Sequence, residues 1–467
     1  QSGFQQEATR RKSCIKTSHF EADGPRRKSM GGVPAGNVRK TLQLCGSTID
    51  VQTYEHFENC PPTVHYSIAG YKIGEGTYGT VRIGRKKDTN AERAIKTIPK
   101  KLLEQHDPWR EIKLLVRIDH PNILRLFSTY EDAKSLYLVT ELCAGGELFD
   151  SILEASSGFT EKIAAKLMRQ TVGATCYLHH HGICHRDLKP ENFLLSRKSD
   201  VENANVKLID FGTAKDFRED GPMTTKVFTV HYAAPEILTR QMKPYNELCD
   251  MWSLGVIFYL ILSGRPPFAG DDDMAIMKSI KKGKYKLEPK SIWEEISNDS
   301  KNLLTSMLEV NPDTRINAHD ALHHRWIVHL APEASGKILL DKSVVGGLRV
   351  FMAQNKLKKI ALQVIAQAIS DEHIDRLKSG FMAMDTDNSG SLEFAEMEKA
   401  IEGLQLDEDA ARDLKHILHE MAQASDGEVN YHQFLGATID RKQYLQEEAL
   451  KQAFNCFDVD GDGQISK

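Results

Sequence analysis

Five short motifs that occur in one order constrain this 467-residue chain more than any other feature. The first is Gly-x-Gly-x-x-Gly, in which the absence of Cβ atoms lets backbone N–H groups approach phosphate oxygens. Alone it is a weak signal, because the same glycines occur in dinucleotide-binding folds and in plain turns. The others are Ala-Ile-Lys, His-Arg-Asp-Leu-Lys-Pro-Glu-Asn, Asp-Phe-Gly and Ala-Pro-Glu. The five motifs occupy residues 74–79, 94–96, 185–192, 210–212 and 234–236.

The complete ordered set resembles the signature of protein kinases. The resemblance implies an α+β, two-lobed protein kinase fold, with a β-rich N-terminal lobe and a helical C-terminal lobe. Phosphoryl transfer requires charge neutralisation and positioning of the acceptor hydroxyl, so ATP and Mg²⁺ are the implied cofactors and proteins the implied substrates. The residues that the resemblance assigns to ATP and its phosphates are Gly74, Gly76, Gly79, Val81, Lys96, Asn192 and Asp210.

The same resemblance implies roles for individual side chains. Lys96 holds phosphates and Glu111 pairs with it, while Asp187 orients the substrate hydroxyl and accepts its proton. Lys189 lies near the transferring phosphate, and Thr229 contacts Asp187. Asn192 and Asp210 are the expected Mg²⁺ ligands, because this hard cation prefers oxygen.

Two finer features concern specificity. Residues 138–143 resemble the last strand and hinge, which makes Thr140 the gatekeeper and brings the backbone of Glu141 and Cys143 to adenine. Glu147 and Glu191 match positions where some kinases place carboxylates to bind an Arg upstream of the phosphorylated Ser or Thr. A lysine two residues after the catalytic aspartate is typical of the serine/threonine class.

The activation segment departs from the usual pattern at Phe228, where many relatives have Gly, and this residue is expected to alter the substrate platform. Arg186 of the catalytic loop requires an anion nearby. Phosphorylation of Thr224 or Thr225 would supply one, and so would the acidic pair at 219–220 without phosphorylation. The sequence leaves both possibilities open.

Residues 385–396 fit the twelve-residue EF-hand calcium loop. Gly390 occupies the sharp turn at position 6, and Glu396 is the bidentate ligand at position 12. The expected Ca²⁺ ligands are Asp385, Asp387, Ser389, the backbone of Ser391, Glu393 and Glu396.

Two further loops follow. Residues 458–466 begin a strong calcium loop that reaches Lys467 before its position-12 glutamate, so we expect the natural chain to continue. Its ligands are Asp458, Asp460, Asp462, Gln464 and Ser466. The loop at 422–433 has alanines in place of carboxylates and Gln433 in place of the last Glu. We expect it to bind no calcium and to pair with its neighbour through a strand around Val429.

The distribution of charged residues divides the chain into regions. Residues 1–40 carry 9 Lys or Arg against 3 Asp or Glu, whereas residues after 370 carry 22 Asp or Glu against 9 Lys or Arg. Between them, residues 343–370 contain four basic residues and no acidic one, beside an apolar stripe at helical spacing. The predicted regions are a basic, disordered extension (1–65), a kinase domain (66–329), an autoinhibitory junction helix (330–370) and a calmodulin-like EF-hand domain truncated in its third loop (371–467).

Kinase, basic junction and EF-hands in this order resemble the calcium-dependent protein kinases of plants and protozoan parasites. The resemblance implies a serine/threonine kinase that the junction inhibits until calcium lets the EF-hand domain capture the junction helix. Two alternatives remain: a calcium-responsive scaffold whose kinase fold only binds partners, and a calcium-independent kinase whose hands serve targeting or stability.

Composition excludes other classes. The net charge is only −4, which gives no reason to expect a nucleic acid partner. The eight cysteines form no Cys-x-x-Cys pair, which favours the reducing cytoplasm over secretion. No apolar run approaches the roughly 20 residues that span a bilayer. We expect a monomer located in the cytoplasm. The basic arm either contacts anionic lipid peripherally or stays a solvated tail.

Overall fold

In the computed structural model, the chain forms two compact units. One contains the described residues between 40 and 142 together with those from 361 onward, and the other contains the described residues between 143 and 331. The structure describes residues 40–44, 47–51, 54–76, 79–88, 90–103, 107–155, 158–197, 201, 205–225, 228–239, 244–331, 361–362, 365–366, 371–402, 412, 415–416, 419, 428–438, 450 and 454.

A seven-stranded sheet dominates the first unit, in the order β3-β8-β9-β7-β6-β4, with β5 paired to β6. Its central strands bury apolar residues, among them Ile95, Ile98, Leu136, Leu138 and Val139. A hairpin of two strands precedes the sheet, and one helix, α1, lies between β7 and β8. The elements are β1 (Lys40–Leu44), β2 (Ser47–Val51), β3 (Glu55–Phe57), β4 (Tyr66–Ile68), β5 (Gly74–Gly76), β6 (Gly79–Lys86), β7 (Glu92–Pro99), α1 (Pro108–Arg117), β8 (Leu126–Glu131) and β9 (Ser135–Thr140).

The prediction of a disordered extension through residue 65 is wrong from residue 40 onward. β1 pairs with β2, and β3 pairs in parallel with β8 at the edge of the sheet. The aromatic ring of Phe57 stacks on Tyr130 with centroids 4.5 Å apart, which buries apolar area on that edge. Pro62 begins a short 3₁₀ turn. Residues 1–39 lie outside the described residues.

The second unit is mainly helical. Its apolar helix α4 (Leu248–Ser263) is buried from Cys249 to Ser263. The elements are β10 (Gly146–Glu147), α2 (Leu148–Glu154), α3 (Glu161–His180), β11 (Ile183–Cys184), β12 (Phe193–Leu195), β13 (Val206–Leu208), β14 (Lys215–Asp216), α4 (Leu248–Ser263), α5 (Asp273–Lys282), α6 (Lys290–Trp293), α7 (Asn298–Met307), α8 (Ala318–Leu322) and α9 (Arg325–Leu330).

The C-terminal residues belong to the same unit as the sheet. They form α10 (Asp371–Met384), β15 (Ser391–Glu393), α11 (Phe394–Glu402), β16 (Glu428–Asn430) and α12 (Tyr431–Thr438). β15 and β16 pair antiparallel with Leu392 opposite Val429, which confirms the predicted strand between the hands. Most of the predicted junction lies outside the described residues, but Leu362, Ile365 and Ala366 within it are buried. Among the helices that the structure describes, none has the length and apolar character that a membrane crossing requires.

Candidate active site and calcium loops

Lys96 and Glu111 form an ion pair in the sheet unit. Lys96 lies on β7 opposite Val81 of β6, and its Nζ is 3.2 and 3.4 Å from the two carboxylate oxygens of Glu111. Glu111 lies in the first turn of α1, where Asp107 caps the helix by accepting the Trp109 N–H. The Glu111 side chain is only 4% exposed, so the helix holds a buried carboxylate against the lysine.

The glycine-rich turn is built by β5 and β6. Gly74 pairs with Val81 and Gly76 with Gly79, while residues 77–78 at the tip lie outside the described residues. A Cβ on Gly79 would lie 2.0 Å from the Thr97 carbonyl oxygen, so this position accepts glycine alone. The glycine therefore has a packing role in addition to the phosphate role implied by its motif.

The predicted hinge follows β9. Thr140 is buried, and its hydroxyl donates to the Glu141 carbonyl at 3.3 Å. The backbone N–H of Glu141 donates to the Arg125 carbonyl, and its side chain accepts the Arg125 N–H at 3.0 Å. Cys143 is half-buried. These bonds fix the backbone of the residues expected to meet adenine.

In the helical unit, the side chains of the His-Arg-Asp motif and its neighbours converge. Asp187 accepts the Thr229 hydroxyl at 2.6 Å on one oxygen and Lys189 Nζ at 2.8 Å on the other. Asn192 Nδ2 donates to the Asp187 carbonyl at 2.8 Å. Burial lowers the pKa of Lys189, but the Asp187 carboxylate outweighs it and leaves that pKa raised. Both oxygens of the predicted base are thus oriented by partners.

Asp250 holds this loop from behind, and the sequence analysis missed it. Its carboxylate accepts the backbone N–H groups of His185 and Arg186, both at 2.8 Å, and lies 3.0 Å from His179 Nε2. Burial would raise the pKa of Asp250, but the His179 hydrogen bond and these backbone donors lower it overall. Arg186 has φ 71°, a conformation that a non-glycine residue adopts only when its surroundings enforce it. A lone aspartate in the first turn of the apolar helix α4 was the signal available in the sequence.

The Asp-Phe-Gly motif lies beside the catalytic loop. The Ile209 N–H donates to the Asn192 carbonyl, which brings Asp210 next to Asn192. Phe211 is buried with its ring 5.2 Å from that of His185. Because the Asn192 amide nitrogen faces the Asp187 carbonyl, its amide oxygen points away from that carbonyl. Asp210 and Asn192 thus offer oxygen ligands of the type that Mg²⁺ prefers, and the residues fit this cation.

The activation segment supplies a partner for Arg186. Its guanidinium donates to the Thr225 hydroxyl at 2.8 Å and to the Thr213 carbonyl at 2.6 Å. Phe228, the departure from the usual pattern, is buried.

The end of the segment is fixed by a residue that the sequence analysis did not identify. Arg315 makes a bidentate ion pair with Glu236 of the Ala-Pro-Glu motif, at 2.7 and 2.9 Å.

The first calcium loop brings three carboxylates together. Oxygen atoms of Asp385, Asp387 and Glu396 lie within 4.8 Å of one another. Ser389 Oγ bonds the Ser391 carbonyl, so these two predicted ligands also lie in the loop, whereas the Glu393 side chain is exposed. The Gly390 N–H donates to one oxygen of Asp385 at 3.0 Å, with Gly390 at φ 82°.

The other oxygen of Asp385 is buried and has no hydrogen-bond partner within the part of the chain that the structure describes. Burial, followed by the nearby Glu396 carboxylate, raises the pKa of Asp385 to about 8. A buried carboxylate oxygen without a donor, in a cluster of like charges, is unfavourable unless a cation enters. The donor set is all oxygen, so the loop fits Ca²⁺.

The second hand is closed by its own side chains. The Asn430 N–H donates to Gln433 Oε1 and the Gln433 N–H donates to Asn430 Oδ1, both at 2.9 Å. These reciprocal bonds cap the start of α12 without a cation. Residues 458–466, the third predicted loop, lie outside the described residues.

Comparison with known proteins agrees with this geometry. The protein kinase domain family matches residues 68–327, and the EF hand family matches residues 377–401 and 450–467. The chain is therefore a serine/threonine protein kinase that uses ATP and Mg²⁺, and it carries EF-hands for Ca²⁺. The predicted fold class, a strand-rich lobe and a helical lobe followed by an EF-hand region, is confirmed.

Relatives that match most of the chain identify the kinase family more closely. The chain is 38% identical over 405 residues to calcium-dependent protein kinase 3 of Plasmodium yoelii yoelii, covering 86% of this chain and 73% of that protein. It is 37% identical over 406 residues to calcium-dependent protein kinase 5 of Plasmodium falciparum, covering 86% and 70%. Calcium-dependent protein kinase 28 of rice is 39% identical over 409 residues, covering 86% and 75%. The chain belongs to the calcium-dependent protein kinases.

Proposed function

We propose that this calcium-dependent protein kinase is inhibited by its junction, residues 330–370, and that calcium at the first hand relieves the inhibition. The observation that carries this proposal is Asp385, a buried carboxylate with one oxygen that receives no hydrogen bond from the residues that the structure describes. Calcium supplies the missing positive charge, so the loop with calcium differs in charge and bonding from the loop without it. Such a difference between two states is what a calcium switch requires.

Charge complementarity supports the junction as the target of the switch. Residues 343–370 carry Arg349, Lys356, Lys358 and Lys359 without an acidic residue, and the EF-hand region is strongly acidic. A basic amphipathic helix is a typical ligand of a calcium-sensing hand pair. In this proposal the same helix obstructs the kinase when it is released.

The experiment reverses junction charges in the full chain. Lys358→Glu with Lys359→Glu should lower calcium-stimulated phosphate transfer, because the acidic module would then repel the junction, while calcium binding persists. Lys281→Glu with Lys282→Glu is the matched control, since it makes the same charge change on exposed residues of α5. Full stimulation of the junction variant would contradict capture by the EF-hand region.

The catalytic roles in this proposal follow from the contacts already described. Asp187, oriented by Thr229 and Lys189, accepts the proton of the substrate hydroxyl. Lys96, held by Glu111, binds phosphate oxygens. Mg²⁺, held by Asn192 and Asp210, would neutralise phosphate charge.

We also propose that the kinase prefers substrates with an Arg upstream of the phosphorylated residue. Burial raises the pKa of Glu191 and the carboxylate of Glu147 raises it further, so the two acids lie close enough to interact. One oxygen of Glu191 is buried and receives no hydrogen bond from the described residues. A guanidinium would satisfy that oxygen and neutralise both acids.

A peptide pair tests this preference. The enzyme should phosphorylate Arg-x-x-Ser roughly 10- to 100-fold more efficiently than Ala-x-x-Ser, from the usual strength of charge-assisted hydrogen bonds. Glu191→Gln should remove most of that ratio, and Glu154→Gln, an exposed acid at the end of α2, should leave it unchanged. Equal ratios in all three proteins would contradict the proposal.

A further inference from the structure

Two histidines lie one turn apart on the surface of the helical unit. His319 belongs to α8, and His323 follows the last residue of that helix. Their ring centroids are 4.4 Å apart, and the ring planes are inclined by 34°. Both residues are exposed, and the His319 side chain is 55% exposed. Because residues four apart on a helix are surface neighbours, the two rings face solvent from the same side of α8.

Each ring has one nitrogen that is already hydrogen-bonded. His323 Nδ1 lies 2.9 Å from the backbone carbonyl oxygen of His319, and His319 Nδ1 lies 3.3 Å from a carboxylate oxygen of Asp320. A carbonyl and a carboxylate only accept hydrogen bonds, so each Nδ1 carries the hydrogen. In both neutral rings the lone pair is therefore on Nε2, and a neutral imidazole with a free lone pair is the commonest metal ligand in proteins.

The carboxylate that orients His319 is itself held in place. Asn317, the N-cap of α8, donates from Nδ2 to the other carboxylate oxygen of Asp320 at 2.8 Å, and its side-chain oxygen accepts the Asp320 N–H at 2.8 Å. Metal-binding histidines usually donate their second ring N–H to a carboxylate or a backbone carbonyl, which fixes the tautomer and the ring orientation. Both kinds of acceptor are present here, so the two rings are oriented as metal-binding histidines are.

The neighbouring histidines differ from this pair. His324 uses both ring nitrogens, because Nδ1 accepts the Trp326 N–H at 3.3 Å and Nε2 lies 3.0 Å from Asn302 Oδ1. His329 is exposed, but no histidine lies four residues before or after it in the chain. Within residues 317–329, the pair at α8 alone offers two available ring nitrogens.

We propose that His319 and His323 bind one divalent transition-metal ion through their Nε2 atoms, with water completing the coordination. Imidazole nitrogen suits Cu²⁺, Ni²⁺ and Zn²⁺, whereas Ca²⁺ and Mg²⁺ prefer oxygen. The site therefore takes a different class of cation from the calcium loops and from the Asn192–Asp210 pair. It lies in the helical unit and does not depend on inhibition by the junction.

Equilibrium dialysis of the 467-residue chain against Ni²⁺ tests the proposal. Saturating Ca²⁺ and Mg²⁺ occupy the oxygen sites, and thiolates select softer ions than Ni²⁺. Loss of even an outer-shell partner weakens metal binding by roughly 10- to 100-fold, so loss of a ligand should weaken it at least as much. His319→Ala and His323→Ala should therefore each bind one Ni²⁺ fewer per chain, and the double variant should lose no more than that one ion.

The matched control is His329→Ala, which removes an exposed histidine that has no partner one turn away and should bind as much Ni²⁺ as the unmodified protein. His319→Gln and His323→Gln retain a polar side chain without the imidazole and should lose the same ion as the alanine variants. Equal Ni²⁺ binding in the unmodified protein and both ligand variants, loss in only one of the two, or the same loss in His329→Ala would each overturn the proposal.

Thermal unfolding gives a second readout and checks that the variants fold. Without Ni²⁺, the variants should unfold close to the temperature of the unmodified protein, because the substituted side chains are exposed. Ni²⁺ should raise the unfolding temperature of the unmodified protein and of His329→Ala more than that of either ligand variant, since an ion that binds the folded state stabilises it. An equal rise in all of these proteins would contradict a site at this pair.

Discussion

The catalytic loop and the first calcium loop treat their key aspartates differently. Both oxygens of Asp187 accept hydrogen bonds, from Thr229 and from Lys189. Asp385 receives one bond, from the Gly390 N–H, and its second oxygen is buried with no donor in the described part of the protein. Asp187 thus has hydrogen-bond partners for both oxygens without a ligand, whereas Asp385 needs a cation to satisfy its second oxygen.

Charge separates the two loops in the same way. In the catalytic loop the Asp187 carboxylate faces the Lys189 ammonium, which stabilises both charges. In the calcium loop Asp385 faces Asp387 and Glu396, and like charges at this distance favour a proton on one of them. The balanced charges keep the catalytic loop in one arrangement with or without substrate. The unbalanced charges of the calcium loop make its structure depend on whether calcium is bound.

Substitution of Asp187 in the catalytic loop should have the largest effect on phosphate transfer. Asp187→Asn should lower phosphate transfer by roughly 10²- to 10⁴-fold, the usual contribution of a positioned base. Calcium binding, measured on the same protein, should not change, since the substitution leaves the calcium loop intact. Activity within a few-fold of the unmodified enzyme would contradict the role of Asp187.

Substitution of Asp250, which holds the catalytic loop from behind, should have a smaller effect on phosphate transfer. Asp250→Asn keeps the size of the side chain but replaces one of the two oxygens that accept the His185 and Arg186 N–H groups with an NH₂ group, so the strained Arg186 should relax. We expect phosphate transfer to fall roughly 10- to 100-fold, and the unfolding temperature to fall, from the loss of buried charge-assisted bonds. An unchanged rate with a lowered unfolding temperature would restrict Asp250 to stability.

A substitution in the first calcium loop should change the calcium dependence of activity without lowering the maximal rate of phosphate transfer. Asp385→Asn should raise the calcium concentration for half-maximal activity at least about tenfold, because a charged ligand is lost, and should leave the maximal rate nearly unchanged. Asp426→Asn in the degenerate hand is the matched control. Identical calcium curves for Asp385→Asn and the unmodified enzyme would show that calcium at the first hand does not regulate the kinase.

The smallest effect is the release of a proton. Without calcium, the pKa of Asp385 is raised to about 8 by burial and by Glu396, so the group is mostly protonated at pH 7. Calcium binds the carboxylate, so binding at the first hand should release close to one proton at pH 7 and progressively less above pH 8. Calcium affinity should therefore fall as the pH falls from 8 to 6.

Calorimetry in buffers of different ionisation enthalpy measures this proton. Asp385→Asn should abolish the pH-dependent part of the release. Release that is the same at pH 7 and pH 9 would contradict the raised pKa.

Motifs carried most of what the sequence could predict. The Lys96–Glu111 and Asp187–Thr229 contacts follow from short patterns whose chemistry demands particular residues. The strands β6, β7 and β9 and the buried helix α4 follow from apolar patterning, which acts locally.

Contacts between distant segments could not be predicted in this way. β3 has three residues, too few to show a period, and its pairing with β8 depends on the tertiary fold. Asp250 holds a loop more than 60 residues earlier, and Asp119 meets a histidine 313 residues later. A charged residue isolated in an apolar helix was a usable signal for Asp250, and no local signal marked Asp119.

A calcium titration of phosphate transfer to an Arg-x-x-Ser peptide tests the calcium switch most directly, with Lys96→Met as the control for activity from this site. We predict a rise from near zero as calcium is added, and none in the Lys96→Met protein. Activity that depends on Lys96 but is equal at all calcium concentrations would contradict the switch, and no transfer at any concentration would contradict the enzyme itself.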